Sequence, residues 1–154
     1  MEVEWLILAD SAQVVGDKLY LLGGGWDLLT VNTAFPVEQR SAIAVSVRVP
    51  WNETNQKHTF EIEVGEEAPG TEAPKSLLKV GGQFEVGRPP GIPLGSDQRI
   101  QLAINMNLTI ETPGTKVVVA RIEGQELRRI HFNVVPGPML AMSTERRGQG
   151  PTDS

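Results

Sequence analysis

The sequence contains no cysteine, which excludes disulfide frameworks, thiol nucleophiles, iron–sulfur clusters and cysteine zinc sites. Its two histidines, His58 and His131, form neither a His-x-His nor an HExxH spacing, so no histidine metal centre is predicted. No serine lies in a nucleophile-elbow context. These absences leave no catalytic residue, cofactor or metal ligand to assign, although carboxylates from separate loops could still assemble a calcium site.

A basic charge surplus and long hydrophobic runs are also missing. The chain has 14 basic and 19 acidic residues, and its net charge of −5 does not favour nucleic-acid binding. No apolar run approaches the roughly 18 residues of a membrane span, and the first four residues lack the basic region of a secretory signal. We therefore expect a cytoplasmic protein that binds neither nucleic acid nor membranes.

What the chain does contain is a repeated alternation of apolar and polar residues. Between Arg99 and Glu111 every even position is apolar, and every odd position is polar except Ala103. The same period of two occurs at residues 43–49, 60–64 and 130–134. Strands with this pattern have one buried and one exposed face, and they usually form antiparallel sheets that pack on a second layer.

Turn sequences separate these strands, and 16 Gly and 11 Pro supply them. Gly16-Asp17 and Glu123-Gly124 have the length of tight two-residue hairpins, and Pro113-Gly114 suits a type II turn. No amphipathic helix is indicated, and the acidic, proline-containing segment 65–76 is expected to be a mobile loop. The pattern predicts eight or nine strands, near residues 2–9, 12–22, 25–31, 41–50, 58–64, 77–86, 99–111, 115–122 and 127–135.

These elements predict an all-β fold. The first choice is an antiparallel β-sandwich, immunoglobulin-like or jelly-roll-like, and a closed barrel is the second choice. A chain of 154 residues suits one domain, which we place at residues 1–136. Residues 137–154 are expected to form a disordered C-terminal tail because the end of the chain is too polar to pack.

Three segments have a composition that alternation does not explain. Residues 21–27, with the sequence LLGGGWD, place three glycines before Trp26 and Asp27. The Lys-Ser or Lys-Thr pair of a phosphate-binding P-loop is missing, so we predict a bulge or bend that Trp26 covers. Trp26 and Asp27 nevertheless remain candidates for binding, because loops carry function more often than strands do.

The other two segments are the presented loop at residues 48–55 and the proline-supported segment at residues 81–91. In the first, Trp51 and Asn52 follow a proline, and Trp51 either stacks on a ligand or folds back to plug one end of the sandwich. In the second, Arg88 either clamps a carboxylate or phosphate or pairs with a nearby acid. Trp51, Asn52 and Arg88 complete the set of candidate binding residues.

One pair of carboxylates has a spacing used in catalysis. Glu61 and Glu63 point to the same side of a strand, roughly 7 Å apart, which is within the range of paired glycosidase carboxylates. The other side of that strand carries Phe60, Ile62 and Val64. We therefore expect the two glutamates to form the solvated face of the strand rather than an active site.

The chain resembles an uncharacterised family of small bacterial proteins of actinobacterial type. Four segments carry the resemblance: residues 7–27, RVPWNETN at 48–55, GGQFEVGRPPG at 81–91 and residues 113–135. The likeness covers residues 2–135. It implies a bacterial, intracellular protein, and because the family has no known function it implies no catalytic residue, substrate or partner.

Two functional hypotheses follow from these features. The first is a non-enzymatic interaction or assembly module that binds a protein partner or a second copy through the loops around Trp26, Trp51 and Arg88 or through an open sheet edge. The alternative is a small-molecule or carbohydrate binder, with hydrolysis as an extension. In that alternative Trp51 is the stacking platform, and Glu61, Glu63 or Asp27 supply polar groups. A shell protein that forms large symmetric particles is a third, remoter hypothesis.

Overall fold

A computed structural model describes residues 1–70 and 73–138 of the chain. The strands in this part of the protein are β1 (Glu2–Val15), β2 (Lys18–Gly24), β3 (Leu28–Val31), β4 (Val37–Val49), β5 (Lys57–Glu66), β6 (Lys75–Glu85), β7 (Gln98–Ile110), β8 (Gly114–Ile122) and β9 (Gln125–Pro136). One 3-10 turn, Trp51–Glu53, lies between β4 and β5. The prediction of an all-β fold is confirmed. Over the described residues, no helix has the length and apolar character needed to cross a membrane.

The strands form two sheets. The first sheet has the order β2-β1-β4-β7, and the second has the order β3-β9-β8-β5-β6. The pairs are antiparallel except that β3 lies parallel to β9, which differs from the antiparallel fold expected from the sequence. The exception arises because the chain leaves the edge of the first sheet at β2, crosses to the second sheet and joins its edge there as β3.

The apolar faces of the two sheets meet in one core. Alternation places Ile43, Val45, Val47 and Val49 on the inner face of β4, and all four are almost fully buried. Burying one such side chain stabilises the folded chain by roughly 1.5 to 3 kcal/mol. The second sheet contributes Ile62, Val64, Val118, Ala120, Ile122, Phe132 and Val134 to the same core.

Several boundaries differ from the expected ones. The segment expected to be a loop at residues 65–76 contains the end of β5 and the start of β6, and Gly65 pairs with Ser76. Pro74 packs so closely on Gly65 that a Cβ there would lie 2.8 Å from the proline side chain. The expected tail at residues 137–154 falls almost wholly outside the described residues. Within them, the Gly137 N–H donates to the Val31 carbonyl at 2.7 Å.

The two-residue hairpins at Gly16-Asp17 and Glu123-Gly124 are confirmed. Gly16 and Asp17 have φ values of 57° and 62°, and Glu123 and Gly124 have values of 51° and 78°. Two consecutive residues with positive φ are typical of the type I′ turn, whose twist matches that of the strands it joins. These turns fix the register of β1 with β2 and of β8 with β9.

The first sheet is folded back on itself. β1 pairs with β4 only as far as Ala9, and residues 10–24, called the arm below, then continue as a hairpin that crosses the outer face of the sheet. Small side chains line this contact, which lets the two layers of backbone approach closely. They form a second apolar cluster of Ala9, Ala12, Ala42 and Ala44, with Trp5, Leu19 and Ala103 packed against it.

Candidate functional site

Trp51 and Arg88 lie together at one end of the molecule. Pro50 follows the last residue of β4, and Trp51 begins the 3-10 turn, while Arg88 follows β6 in the segment that leads to β7. The Arg88 guanidinium carbon lies 3.9 Å from the centroid of the Trp51 ring. Arg88 also donates to the Thr54 hydroxyl at 2.6 Å and to the Trp51 carbonyl at 2.7 Å. A ring face and two neutral oxygens therefore hold the guanidinium, in place of the acid expected from the sequence.

The loop that carries Trp51 and Asn52 is fixed by further bonds. The Asn52 carbonyl accepts a hydrogen bond from the Gln56 side chain at 2.9 Å. The Asn55 N–H donates to the Val86 carbonyl at 2.7 Å, which ties this loop to the segment before Arg88. The Trp51 ring consequently serves as a support for Arg88 within the fold, and the Asn52 side chain is exposed.

A groove of about 680 Å³ lies beside Arg88. It is lined by Val14 and Asp17 of the arm, by residues 85–89 and by residues 98–101 at the start of β7. Its second arginine, Arg99, forms a bidentate pair with Glu4, at 2.6 and 2.9 Å. This pair, together with Arg48 and Ser46, lowers the pKa of Glu4 to about 2 although partial burial opposes the shift. The groove thus offers arginines that are already paired inside the protein.

Trp26 and Asp27 lie elsewhere. Trp26 is half-buried in the main core, with its ring edge-on to Phe132 at a centroid distance of 5.7 Å. Phe132 is opposite Lys116, and Lys116 pairs with Glu66, the last residue of β5. Trp51 instead lies in the 3-10 turn that precedes the first residue of β5. A strand of ten residues spans roughly 30 Å. The five predicted binding residues therefore do not converge on one surface.

Glu63 does not lie on the solvated face that the sequence predicted, whereas the Glu61 side chain is 39% exposed. The Glu63 side chain is only 4% exposed, and Arg121 binds both carboxylates, at 2.8 Å from Glu61 and 3.0 Å from Glu63. Burial raises the pKa of Glu63, but hydrogen bonds from Ser76 and Arg121 and the charge of Lys79 outweigh it, so the pKa lies below its usual value. These partners favour the ionised form of Glu63, so this carboxyl is not arranged as the proton donor that glycoside hydrolysis requires.

The two histidines are far from forming a metal centre. His58 is buried between the Glu53 carbonyl and the Glu123 carboxylate, and His131 pairs with Glu67. Within residues 1–70 and 73–138, no group of three or more His, Asp or Glu is arranged to hold a metal ion.

The arm exposes an apolar surface that sequence analysis did not identify. Val15, Tyr20 and Leu22 are 52%, 57% and 71% exposed. Five of the six exposed large hydrophobic residues in the described chain lie between residues 15 and 28, and the sixth is Leu94. The signal in the sequence is the unbroken apolar run at residues 19–22, which lacks the polar alternation of the other strands.

Strand register explains why these side chains share a face. Gln13 is opposite Tyr20, Ser11 is opposite Leu22 and Val15 is opposite Lys18. Residues directly opposite each other and residues two apart project from the same side of a sheet. Since Ala12 and Leu19 face the alanine cluster, Val15, Tyr20 and Leu22 face solvent on the outside of the arm.

Comparison with known proteins gives a family and two distant structural likenesses. A family model described as a family of unknown function, DUF6941, matches residues 4–135. No curated protein matches the chain.

Among solved structures, the chain is similar to a Pseudomonas fluorescens alkylpurine DNA glycosylase, AlkC, bound to DNA containing an abasic site analog. The identity is 14% and the TM-score 0.40, over 84% of this chain and 30% of that one. It is also similar to a beta-glucosidase from Listeria innocua in complex with glucose, at 6% identity and a TM-score of 0.38, over 71% of this chain and 15% of that one. The chain therefore spans less than a third of either structure, and neither likeness indicates its function.

Proposed function

Since the chain belongs to the DUF6941 family of unknown function, we propose its function from its surface. The protein is a non-enzymatic interaction module that binds a protein partner along the arm. In this proposal the two sheets form a β-sandwich scaffold, and the arm is the element that it presents. The observation that carries the proposal is the exposure of Tyr20 and Leu22 on a strand that pairs on one side only.

An open edge strand usually carries features that prevent pairing with other chains. Such features are charged side chains, proline and bulges that turn the edge away. β2 contains one charged residue, Lys18, and no proline, and the bend at Gly23 affects only its end. Tyr20 and Leu22 are more than half exposed in the single chain, so an interface that covers them gains roughly 25 cal/mol for each Å² of their apolar surface removed from water.

The predicted loop residues give less support to this function. Trp51 and Arg88 are occupied with each other, and Trp26 packs into the core. The open edge of the first sheet, by contrast, combines exposed apolar side chains with a strand that pairs on one side only. We therefore place partner binding on the arm rather than on the loops.

A photoreactive amino acid at position 20, introduced in the cells that make the protein, tests this function. We expect it to form a covalent adduct with a protein partner, and we expect the adduct to disappear when Leu22→Glu is added. The matched control is the same photoreactive residue at Thr30, which is exposed on the edge strand β3. Equal adducts from both positions, or none from position 20, would contradict the proposal.

A second candidate function is supported by the groove beside Arg88. Its volume of about 680 Å³ is typical of small-molecule sites, and both Arg88 and Arg99 line it. The ligand class is then an anionic small molecule or a carbohydrate, with hydrolysis as the more distant extension. A thermal-shift screen over both classes separates the candidates, because a ligand at 100 times its Kd stabilises a protein by about 2.7 kcal/mol.

A further inference from the structure

We propose that the arm binds a second copy of this chain, with the two β2 strands paired antiparallel and Tyr20 of one copy opposite Tyr20 of the other. This inference rests on the proposed function, and it names the partner. The two first sheets would then join into one continuous sheet across a two-fold axis.

The hydrogen bonds of the arm show which backbone groups of β2 are free to pair. The Ala12 N–H donates to the Asn105 side chain at 3.1 Å, and the Ala12 carbonyl accepts from it at 2.7 Å. Both groups therefore point away from β2, so Ala12 and its partner Leu21 form a non-hydrogen-bonded pair. By the same alternation, the N–H and C=O groups of Leu19 and Leu21 point to the open edge of β2.

These groups select one register. Centring the pair on Tyr20 puts Leu19 of each copy opposite Leu21 of the other, and all the outward groups of these residues can then form hydrogen bonds. Centring it on Leu21 would instead place Leu19 opposite Gly23. Gly23 has a φ of 60°, which bends the end of β2 away from a regular strand. The register centred on Tyr20 therefore uses the straight part of the strand.

The side chains agree with this register. Across an antiparallel two-fold axis the outer faces of both arms lie on the same side, so Tyr20 meets Tyr20 and Leu22 meets the aliphatic part of Lys18. Aromatic and apolar cross-strand pairs of this kind stabilise sheets. No charged side chain is opposite one of the same sign.

Disulfide trapping tests the register, because the natural chain has no cysteine to interfere. Directly opposite residues in a non-hydrogen-bonded pair have Cα atoms about 4.5 Å apart, which suits a disulfide. Tyr20→Cys should therefore form a disulfide-linked dimer on mild oxidation. Leu22→Cys is the matched control on the same exposed face. In this register the two cysteines at position 22 lie roughly 13 Å apart along the strands, so they should form a disulfide at least about tenfold more slowly. Faster linkage through Leu22→Cys would overturn the register.

A proline substitution tests whether the dimer forms in the natural chain. The Leu21 N–H makes no bond inside the arm, so Leu21→Pro should keep the monomer folded and remove one hydrogen bond from each side of the dimer. In sedimentation equilibrium, Leu21→Pro should weaken dimerisation at least about tenfold relative to Leu21→Ala, which keeps the N–H. Circular dichroism checks that both variants fold.

The failure of this inference is distinguishable from the failure of the proposed function. A natural chain that is monomeric at about 100 μM, with an adduct at position 20 to a different protein, would overturn the second copy as the partner and leave the interaction module standing. A monomer with no adduct at position 20 would overturn both.

Discussion

His58 is held at both ring nitrogens. Nδ1 lies 2.9 Å from the Glu123 carboxylate and Nε2 lies 2.7 Å from the Glu53 carbonyl, and the ring packs against Phe84 at a centroid distance of 5.5 Å. The two partners come from different parts of the chain, the turn before β5 and the turn between β8 and β9. A single buried side chain thereby joins the turn after β4, the start of β5 and the turn between β8 and β9.

We expect His58→Leu to lower the free energy of unfolding by about 2 kcal/mol, because it leaves the Glu53 carbonyl without its buried donor. Urea denaturation at pH 7 measures the change. The control is His131→Leu, since the His131 side chain is 44% exposed, and its effect should stay within about 0.5 kcal/mol. Equal losses for the two variants would show that His58 is not a structural link.

Sequence alone identified Trp51 and Arg88 as unusual residues but could not identify their partners. Composition showed a large aromatic ring after a proline and a guanidinium beside two prolines. Whether the Trp51 ring contacts a ligand or an arginine depends on how two segments more than thirty residues apart meet in the fold. The alternation of apolar and polar residues is a local pattern and does not predict contacts between such distant segments. The same limit applies to Trp26, whose contact with Phe132 spans the chain.

Among the elements, the arm was the least predictable. Alternation detected its strands and the Gly16-Asp17 turn, but not the bend after Ala9 that carries the arm across the outer face of the first sheet. One signal was present: Ala103 interrupts the polar positions of β7, and it lies under the arm. An alanine among polar residues on an exposed face indicates that another layer covers it.

Asn105 anchors the arm through both polar groups of its side chain. Asn105→Ala should remove two hydrogen bonds to Ala12 and speed amide hydrogen exchange across residues 11–22, while exchange in β4 and β8 stays unchanged. Asn107→Ala is the matched control, because Asn107 is also exposed and lies on the same face of β7. Faster exchange throughout the first sheet would contradict the view of the arm as a separately anchored element.

The segment at residues 65–76 shows a second limit at the element scale. Its acids and prolines suggested a loop, yet Gly65 and Glu66 continue β5 and Lys75 begins β6. Pairing with β8 on the other side of β5 holds these residues in the strand. Tertiary pairing can therefore extend a strand beyond the point where local composition predicts its end.

Across the whole molecule, ion pairs lower the pKa of several carboxylates. Hydrogen bonds from Lys116 and Arg129 lower the pKa of Glu66 and Glu126, and Glu4 is lowered from its ordinary 4.5 to about 2. The unfolded chain binds protons to these carboxylates at higher pH than the folded chain does. Their contribution to the free energy of unfolding is therefore fully present above about pH 4.5 and is lost as the pH falls toward 2. The protein should therefore be acid-labile.

Glu4→Gln tests this dependence. We expect it to lower the free energy of unfolding at pH 7 by about 1 to 2 kcal/mol, an amount reduced by solvent because Arg48 and Arg99 are partly exposed. The difference from the natural chain should shrink between pH 4.5 and 2, as measured by urea denaturation across that range. Glu2→Gln, at an exposed position of the same strand, should change neither the free energy of unfolding at pH 7 nor its pH dependence. A difference between Glu4→Gln and the natural chain that stays constant at all pH values would contradict the role given to the ionised Glu4.

Sequence by itself determined the all-β class, most strands and the tight hairpins. Each of these depends on residues close together in the chain, through the period of two or the backbone freedom of a turn. Tertiary structure decided which residues met: Arg88 on Trp51, Arg121 on Glu61 and Glu63, and the arm on the alanine face. It also decided that Tyr20 and Leu22 stay exposed, because burial is a property of the layers that cover a strand and not of the strand's own pattern.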